Sequence, residues 1–143
     1  MHRLFFDSDV LLDVLAKRAK FYSDSARILS LAEIKSIHAY TSPIVIANIF
    51  YILRKMKSKK IALESLRKLR VFINILSVTE NQIDKALSSK FKDFEDAIQY
   101  FASSDNEIGY IITRNKADYK QSKISVCTPT EFLKLYNAGR KLS

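Results

Sequence analysis

The sequence predicts an α/β fold in which a mainly parallel sheet is covered on both faces by helices. Its apolar runs, such as Leu4-Phe5-Phe6 and Tyr110-Ile111-Ile112-Thr113, are short and continuous, as strands buried on both faces require. Longer segments with apolar residues at helical spacing separate them, and no linker, repeat or low-complexity stretch interrupts the alternation. A length of 143 residues with 48% hydrophobic content suits one core, so residues 1–143 are expected to form a single domain.

The elements follow in order. Leu4-Phe5-Phe6 is the first strand, and from Asp9 the spacing of Val10, Leu11, Val14 and Leu15 predicts a helix. A second helix is expected from about Ser23 to Glu33, then a strand from His38 to Thr41. Ser42-Pro43 has the form of a helix start, with Ser42 as cap and Pro43 in the first turn, where a missing amide hydrogen costs nothing. That helix should reach about Met56, and its apolar stretch Pro43 to Leu53 reads as buried; it is far shorter than the roughly 20 residues of a membrane span. Another helix is expected near Lys60 to Arg70, with a β-rich segment from Val71 to Ser77. Thr79-Glu80-Asn81-Gln82 matches a capping box, opening a helix through Ile83, Ala86 and Leu87. Asp93 opens the next, with Phe94, Ala97, Ile98, Phe101 and Ala102 on one face. After the Tyr110 strand come a short strand near Ser125 to Cys127 and a closing helix from Thr130.

Composition removes several chemistries. Cys127 is the only cysteine, so no intramolecular disulfide or multi-thiolate metal site can form, and a reducing cytoplasm is the expected setting. The start, Met1 to Asp7, meets an acid too soon for a secretory signal, and no membrane association is expected. Gly109 and Gly139 are too few for a glycine-rich phosphate loop or dinucleotide fingerprint. With His2 and His38 as the only imidazoles, a multi-histidine zinc site is excluded and a serine triad would depend almost wholly on His38. A net charge of +9 favours polyanions as partners. The usable reactive groups are carboxylates.

Three segments hold them. Asp7-Ser8-Asp9-Val10-Leu11-Leu12-Asp13 puts an acid directly after a strand; Asp7 or Asp9 can equally cap the following helix, and Asp13 can be simply solvated. In Asp93-Phe94-Glu95-Asp96, helix-dipole stabilisation accounts for Asp93 and Glu95 but less well for Asp96, which adjoins the core positions Ala97 and Ile98. Thr113-Arg114-Asn115-Lys116-Ala117-Asp118-Tyr119 reads in isolation as a polar loop. Right-handed crossovers bring the ends of the first and Tyr110 strands to one edge of the sheet, where Asp7, Asn115 and Asp118 can meet.

Together these segments resemble the PIN-domain family, in particular its toxin-like, VapC-type ribonuclease branch, over nearly the whole chain. Phe6 to Asp13 resembles the opening strand and acid-turn-helix motif, Phe91 to Ala97 the central acidic motif, and Ile111 to Tyr119 the last strand and loop. The resemblance implies a PIN-like three-layer α/β/α sandwich and a metal-dependent endoribonuclease, the toxin of a toxin–antitoxin pair. It implies Asp7, Asp96 and Asp118 as catalytic metal ligands for Mg²⁺ or Mn²⁺, with Ser8, Asn48, Thr113 and Asn115 supporting the ligands or positioning substrate. RNA is the implied substrate, an antitoxin protein the partner, and a homodimer the expected assembly. Many active members carry glutamate on the helix after the second strand, whereas Asn48 stands at that place here. A catalytically weakened RNA-binding or regulatory module is therefore the alternative, unless Asp9, Asp93 or Glu95 supplies the missing charge. Between Arg54 and Arg70, eight basic residues face the single acid Glu64, and Arg54, Lys55 and Lys57 are expected to bind RNA phosphates if this surface is more than a solubilising one. Phe50, Tyr51, Tyr100 and Tyr119 are candidates for base stacking or for core packing.

Overall fold

A computed structural model of the chain describes the backbone of residues 1–142 and the side chains of residues 1–139. Five strands form one sheet in the order β3-β2-β1-β4-β5, with every neighbouring pair parallel. They are β1 (Arg3–Phe6), β2 (His38–Thr41), β3 (Ile73–Ile75), β4 (Tyr110–Ile112) and β5 (Ser125–Cys127). The helices among the described residues are α1 (Ser8–Leu15), α2 (Tyr22–Glu33), α3 (Pro43–Met56), α4 (Lys59–Leu69), α5 (Glu80–Leu87), α6 (Phe94–Asp105) and α7 (Pro129–Leu142). Helices α1 and α2 pack together, α1 meets α3, α2 meets α7, α3 pairs with α4, and α5 with α6.

Strand β1 is central, and Leu4, Phe5 and Phe6 are fully buried, as their unbroken apolar run requires. The chain travels outward from β1 through β2 to β3, then returns to the other side of β1 as β4. This reversal makes the carboxyl ends of β1 and β4 a topological switch point, where a crevice opens between diverging connections. The Thr41 hydroxyl donates to the Phe6 carbonyl at 2.8 Å, tying β2 to the end of β1.

The start of α3 is built as the sequence predicts. Ser42 is extended, its buried hydroxyl accepts from the Val45 N–H at 3.1 Å, and Pro43 fills the first turn. The same hydroxyl donates to Oε1 of buried Gln99 at 3.2 Å, which fixes α3 against α6. The expectation that the whole apolar stretch of α3 is buried is corrected: its buried residues are Val45, Ile49 and Leu53, one stripe at four-residue spacing, while Tyr51, Ile52 and Met56 are exposed. The segment around Val71 yields only the short edge strand β3, with Asn74 exposed between Ile73 and Ile75. Several helix starts shift: α1 begins at Ser8, α2 at Tyr22, α4 at Lys59 and α7 at Pro129, each one residue before its expected start. Among the described residues no helix is long and apolar enough to cross a membrane.

Replacing Ser42 by Ala removes a helix cap and leaves the Gln99 amide oxygen buried without that donor. The expected cost is about 1–3 kcal/mol. It should appear in urea unfolding as a lower midpoint with an unchanged slope, and an unaltered midpoint would show that the Ser42–Gln99 bond contributes nothing.

Candidate active site

Phe6 of β1 lies opposite Ile112 of β4, so Asp7 and Thr113 are the first residues beyond two adjacent parallel strands. The Asp7 N–H continues the ladder to the Ile112 carbonyl at 3.0 Å, and the Asp7 side chain turns back as the cap of α1. Only 8% of Asp7 is exposed. Its Oδ1 accepts from the Ser8 backbone N–H at 2.8 Å, and its Oδ2 faces the hydroxyls of Thr113 and Tyr119, each at 3.1 Å. Burial first, and the Asp9 charge second, push the Asp7 carboxyl up to about 6, against the pull of those three donors.

Helix α6 delivers the second acid. Asp93 is its cap, accepting from the Asp96 N–H at 3.0 Å, which places Asp96 in the first turn with its backbone pinned. The Tyr119 hydroxyl is 3.5 Å from Asp96 Oδ1, so this one group stands between Asp7 and Asp96. A phenol has one proton and serves the two carboxylates only in turn. Burial, followed by the charges of Asp7 and Asp96, pushes the Tyr119 hydroxyl well above its ordinary range, so it remains a neutral donor. Asp96 itself is pushed up to about 7, by burial and then by the charges of Asp7, Asp93 and Asp118. Asp118 is exposed on a 3-10 turn, Lys116–Tyr119, and acts on the same carboxylate as Asp7 does.

The segment from Thr113 to Tyr119, a polar loop by composition, is an organised clamp. Asp9 Oδ2 receives the Arg114 backbone N–H at 3.0 Å and the Asn115 side-chain amide at 3.2 Å, with the Thr113 hydroxyl at 3.3 Å. Asn115 thus serves Asp9, while Ser8 reaches Asp7 through its backbone. The reading of Asp13 as a solvated surface acid is corrected: it is 0% exposed and carries a two-pronged ion pair from Arg114, Nε to Oδ2 at 2.9 Å and Nη2 to Oδ1 at 3.1 Å. Asp13, Arg114 and Tyr119 are neighbours of the candidate site that sequence reasoning did not assign, and Asp9, weighed there as a cap or a substitute charge, holds the Thr113–Asn115 turn. The four-residue spacing of Asp9 and Asp13, which puts both on one face of α1, is the signal that was there to find.

Asn48 lies on α3 with its amide nitrogen donating to Oε2 of Glu95 at 3.1 Å. A carboxylate from the first turn of α6 therefore stands beside the neutral side chain. Arg54 and Lys55 occupy the last turn of α3 and Lys57 its C-cap, about 9 Å or more beyond Asn48 along the helix axis. Tyr100 and Tyr119 are buried and Phe50 half-buried, leaving Tyr51 as the exposed member of the four aromatic candidates.

The side chains gathered around Asp7 and Asp96, those of Thr113 and Tyr119, offer oxygen atoms, the set a hard divalent cation takes. The repulsion among Asp7, Asp96 and Asp118 is what such a charge relieves. Among the described residues no three His, Cys, Asp or Glu side chains are close enough to hold an ion unaided. A bound ion would complete its shell with water or phosphate oxygens, the habit of Mg²⁺.

Carboxyls raised in this way bind protons in the folded state that the unfolded chain releases near its ordinary carboxylate value of 3.8. Stability should therefore fall as pH rises from about 4 to about 7, then level off. Urea unfolding in chelator at pH 5 and pH 8 should give the higher midpoint at pH 5. Asp96→Asn should flatten the difference, and a slope unchanged in that variant would remove Asp96 as its source.

A family model described as the PIN domain matches residues 3–117, which include all but the last two residues of the three acidic segments. Over 140 residues the chain is 25% identical to the protein named Ribonuclease VapC1 of Aquifex aeolicus (strain VF5), covering 94% of this chain and 96% of that one. Its fold is similar to a toxin-antitoxin complex from Klebsiella pneumoniae, with a TM-score of 0.67, 20% identity, and 88% of this chain and 97% of that one covered. It is also similar to VapBC2 from Rickettsia felis, solved bound to a DNA fragment from the VapBC2 promoter, with a TM-score of 0.66, 14% identity, and coverage of 87% and 96%. At such identities these two structures speak for the fold alone, and the expected layered α/β architecture with a parallel sheet is the one observed. The chain belongs to the PIN domain family.

Proposed function

We propose that this protein is a divalent-metal-dependent endoribonuclease, acting with Mg²⁺ or Mn²⁺, and the toxin of a toxin–antitoxin pair. The observation that carries the reading is the juxtaposition of Asp7 and Asp96 at the switch point, one buried and one half-buried acid with a neutral hydroxyl between them and, among the described residues, no cationic side chain bonded to either. The names of its relatives, a ribonuclease and toxin-antitoxin proteins, support the same activity and an antitoxin partner. A homodimer and a cytoplasmic location belong to the proposal.

Hydrolysis of an RNA phosphodiester requires a water oxygen to bond to phosphorus, the bond from phosphorus to one ribose oxygen to break, and a proton to pass from the water to the departing oxygen. Asp7 and Asp96 would hold the cation, which polarises the phosphoryl oxygen and favours ionisation of water. Asp118, at the exposed mouth, orients the attacking water and accepts its proton. Thr113 and Tyr119 fix Asp7, and Asn115 acts one step further out through Asp9. Arg54, Lys55 and Lys57 extend the positive surface to RNA phosphates beyond the reacting group.

Asn48 favours a second reading, a catalytically weakened RNA-binding or regulatory module, since an amide neither balances a metal charge nor takes a proton. The Glu95 carboxylate held by Asn48 speaks for retained activity. Cleavage of a defined RNA across Mg²⁺ and Mn²⁺ titrations, with a chelator control, separates the two. Wild type should cleave, Asn48→Ala should stay within about 10-fold of it, and Asp96→Asn should lose on the order of 100-fold. Wild type inactive with every metal, alongside an active Asn48→Glu variant, would establish the weakened module instead.

A further inference from the structure

We propose that Arg114 is a positioning residue, one that sets the affinity of the site for its divalent ion by locking the Thr113–Asn115 turn onto half-buried Asp9 and buried Asp13 of α1, without touching ion or RNA. The inference rests on the metal-dependent reading above.

Arg114 is held at both ends. Its backbone N–H donates to Asp9 Oδ2 at 3.0 Å, and its guanidinium makes the two-pronged bond to Asp13 at 2.9 and 3.1 Å. Asp9 and Asp13 share a face of α1, so one residue spans two acids a helical turn apart. Asp13 is further fixed by the Ser25 hydroxyl at 3.2 Å and by Arg18 at 3.8 Å. The guanidinium carbon lies 3.8 Å from the centroid of the Phe21 ring, which supports one face of the planar group. Four residues from three parts of the chain thus hold a single side chain, directly or through Asp13: Asp13 of α1, Ser25 of α2, and Arg18 and Phe21 of the segment before α2.

The consequence for the site comes through Thr113, the residue before Arg114. Its hydroxyl lies 3.1 Å from Asp7 and 3.3 Å from Asp9, and it accepts from the Asn115 N–H at 3.1 Å. Where Arg114 is fixed, the Thr113 oxygen is fixed, and with it the orientation of the Asp7 carboxylate. A buried ion pair is a poor device for stability, because well-packed apolar side chains of the same volume usually do as well or better. Its planar, two-bond geometry sets an angle that apolar contact does not. Direct contact with RNA phosphate fits the geometry less well, since Nε and Nη2 are committed to Asp13 and 23% of the side chain is exposed.

The test uses the full chain as wild type, as Arg114→Lys, and as the double variant Asp13→Leu with Arg114→Met. Lysine keeps the charge but loses the fork, and the double variant removes the pair without stranding a buried charge. Mn²⁺ affinity is read without RNA by electron paramagnetic resonance of the free ion, and kcat and KM are then measured on a defined RNA. The expected result is Mn²⁺ binding weakened on the order of 10-fold in both variants, with kcat reduced about 10- to 100-fold and KM for RNA unchanged. The double variant should retain a melting temperature near that of wild type, so it carries the test if Arg114→Lys fails to fold. Wild-type Mn²⁺ affinity and kcat in a folded variant would make Arg114 a packing residue only. A raised KM with unchanged kcat and Mn²⁺ affinity would make it a substrate contact. Wild type that neither binds Mn²⁺ nor cleaves RNA would overturn the ribonuclease reading itself, a different result from either.

Discussion

A carboxylate taken out of water must find donors or give up its charge, and that constraint on Asp7 organises this end of the molecule. The parallel register of β1 and β4 places Thr113 beside it, the turn into α1 supplies the Ser8 N–H, and the 3-10 turn brings in the Tyr119 hydroxyl. Each of those donors is neutral. A neutral donor lowers the cost of burial without cancelling the charge, which is why the group stays displaced upward despite three hydrogen bonds. The fold holds the acid in place while leaving its electrostatic demand unmet.

The same end of the sheet contains one acid whose demand is met, and the contrast supports the proposed site. Asp13 is as buried as any residue in the core, yet Arg114 balances it charge for charge. Asp9 accepts from backbone and side-chain amides of the Arg114–Asn115 turn, yet burial still holds its carboxyl above the ordinary carboxylate range. Asp7 and Asp96 share one phenolic proton. A mobile cation approaching this crevice meets buried Asp7 and half-buried Asp96, to which no cationic side chain among the described residues is bonded. Net acidity would not have identified that place, since Asp9, Asp13, Asp93 and Asp118 also lie in or next to the switch point.

Much of the fold was legible because its signals are local. Continuous apolar runs for strands, the Ser42-Pro43 start of α3 and the Asp93 cap of α6 depend on residues within a few positions of one another, and they appear where the sequence put them. Asp96 stood out for a related reason, as an acid beside the core positions Ala97 and Ile98, while Asp7 read equally as a helix cap and was singled out by the family resemblance. The partners of those acids were not legible. Tyr119 read as an aromatic for stacking or packing, and nothing near it in sequence shows that its hydroxyl meets Asp7. Asp13 read as solvated because its ion pair comes from Arg114, across the whole length of the domain. The burial of α3 was over-read because apolar content alone does not say how many sides of a helix are covered, and only one stripe of α3 is.

In the proposed site, Asn48 and Glu95 together would keep the charge while changing where it comes from. A glutamate at this position of α3 would project from the middle of a helix, where the backbone offers an anion no stabilisation. Glu95 sits instead in the first turn of α6, next to unpaired N–H groups and the positive end of the helix dipole, where a carboxylate is favoured. Asn48 is suited to that arrangement, because its amide donates to Glu95 where a glutamate would repel it. The substitution and the acid beside it are then one feature: a donor on α3 that orients an acid from α6, and whose replacement by glutamate would bring a second negative charge against the first.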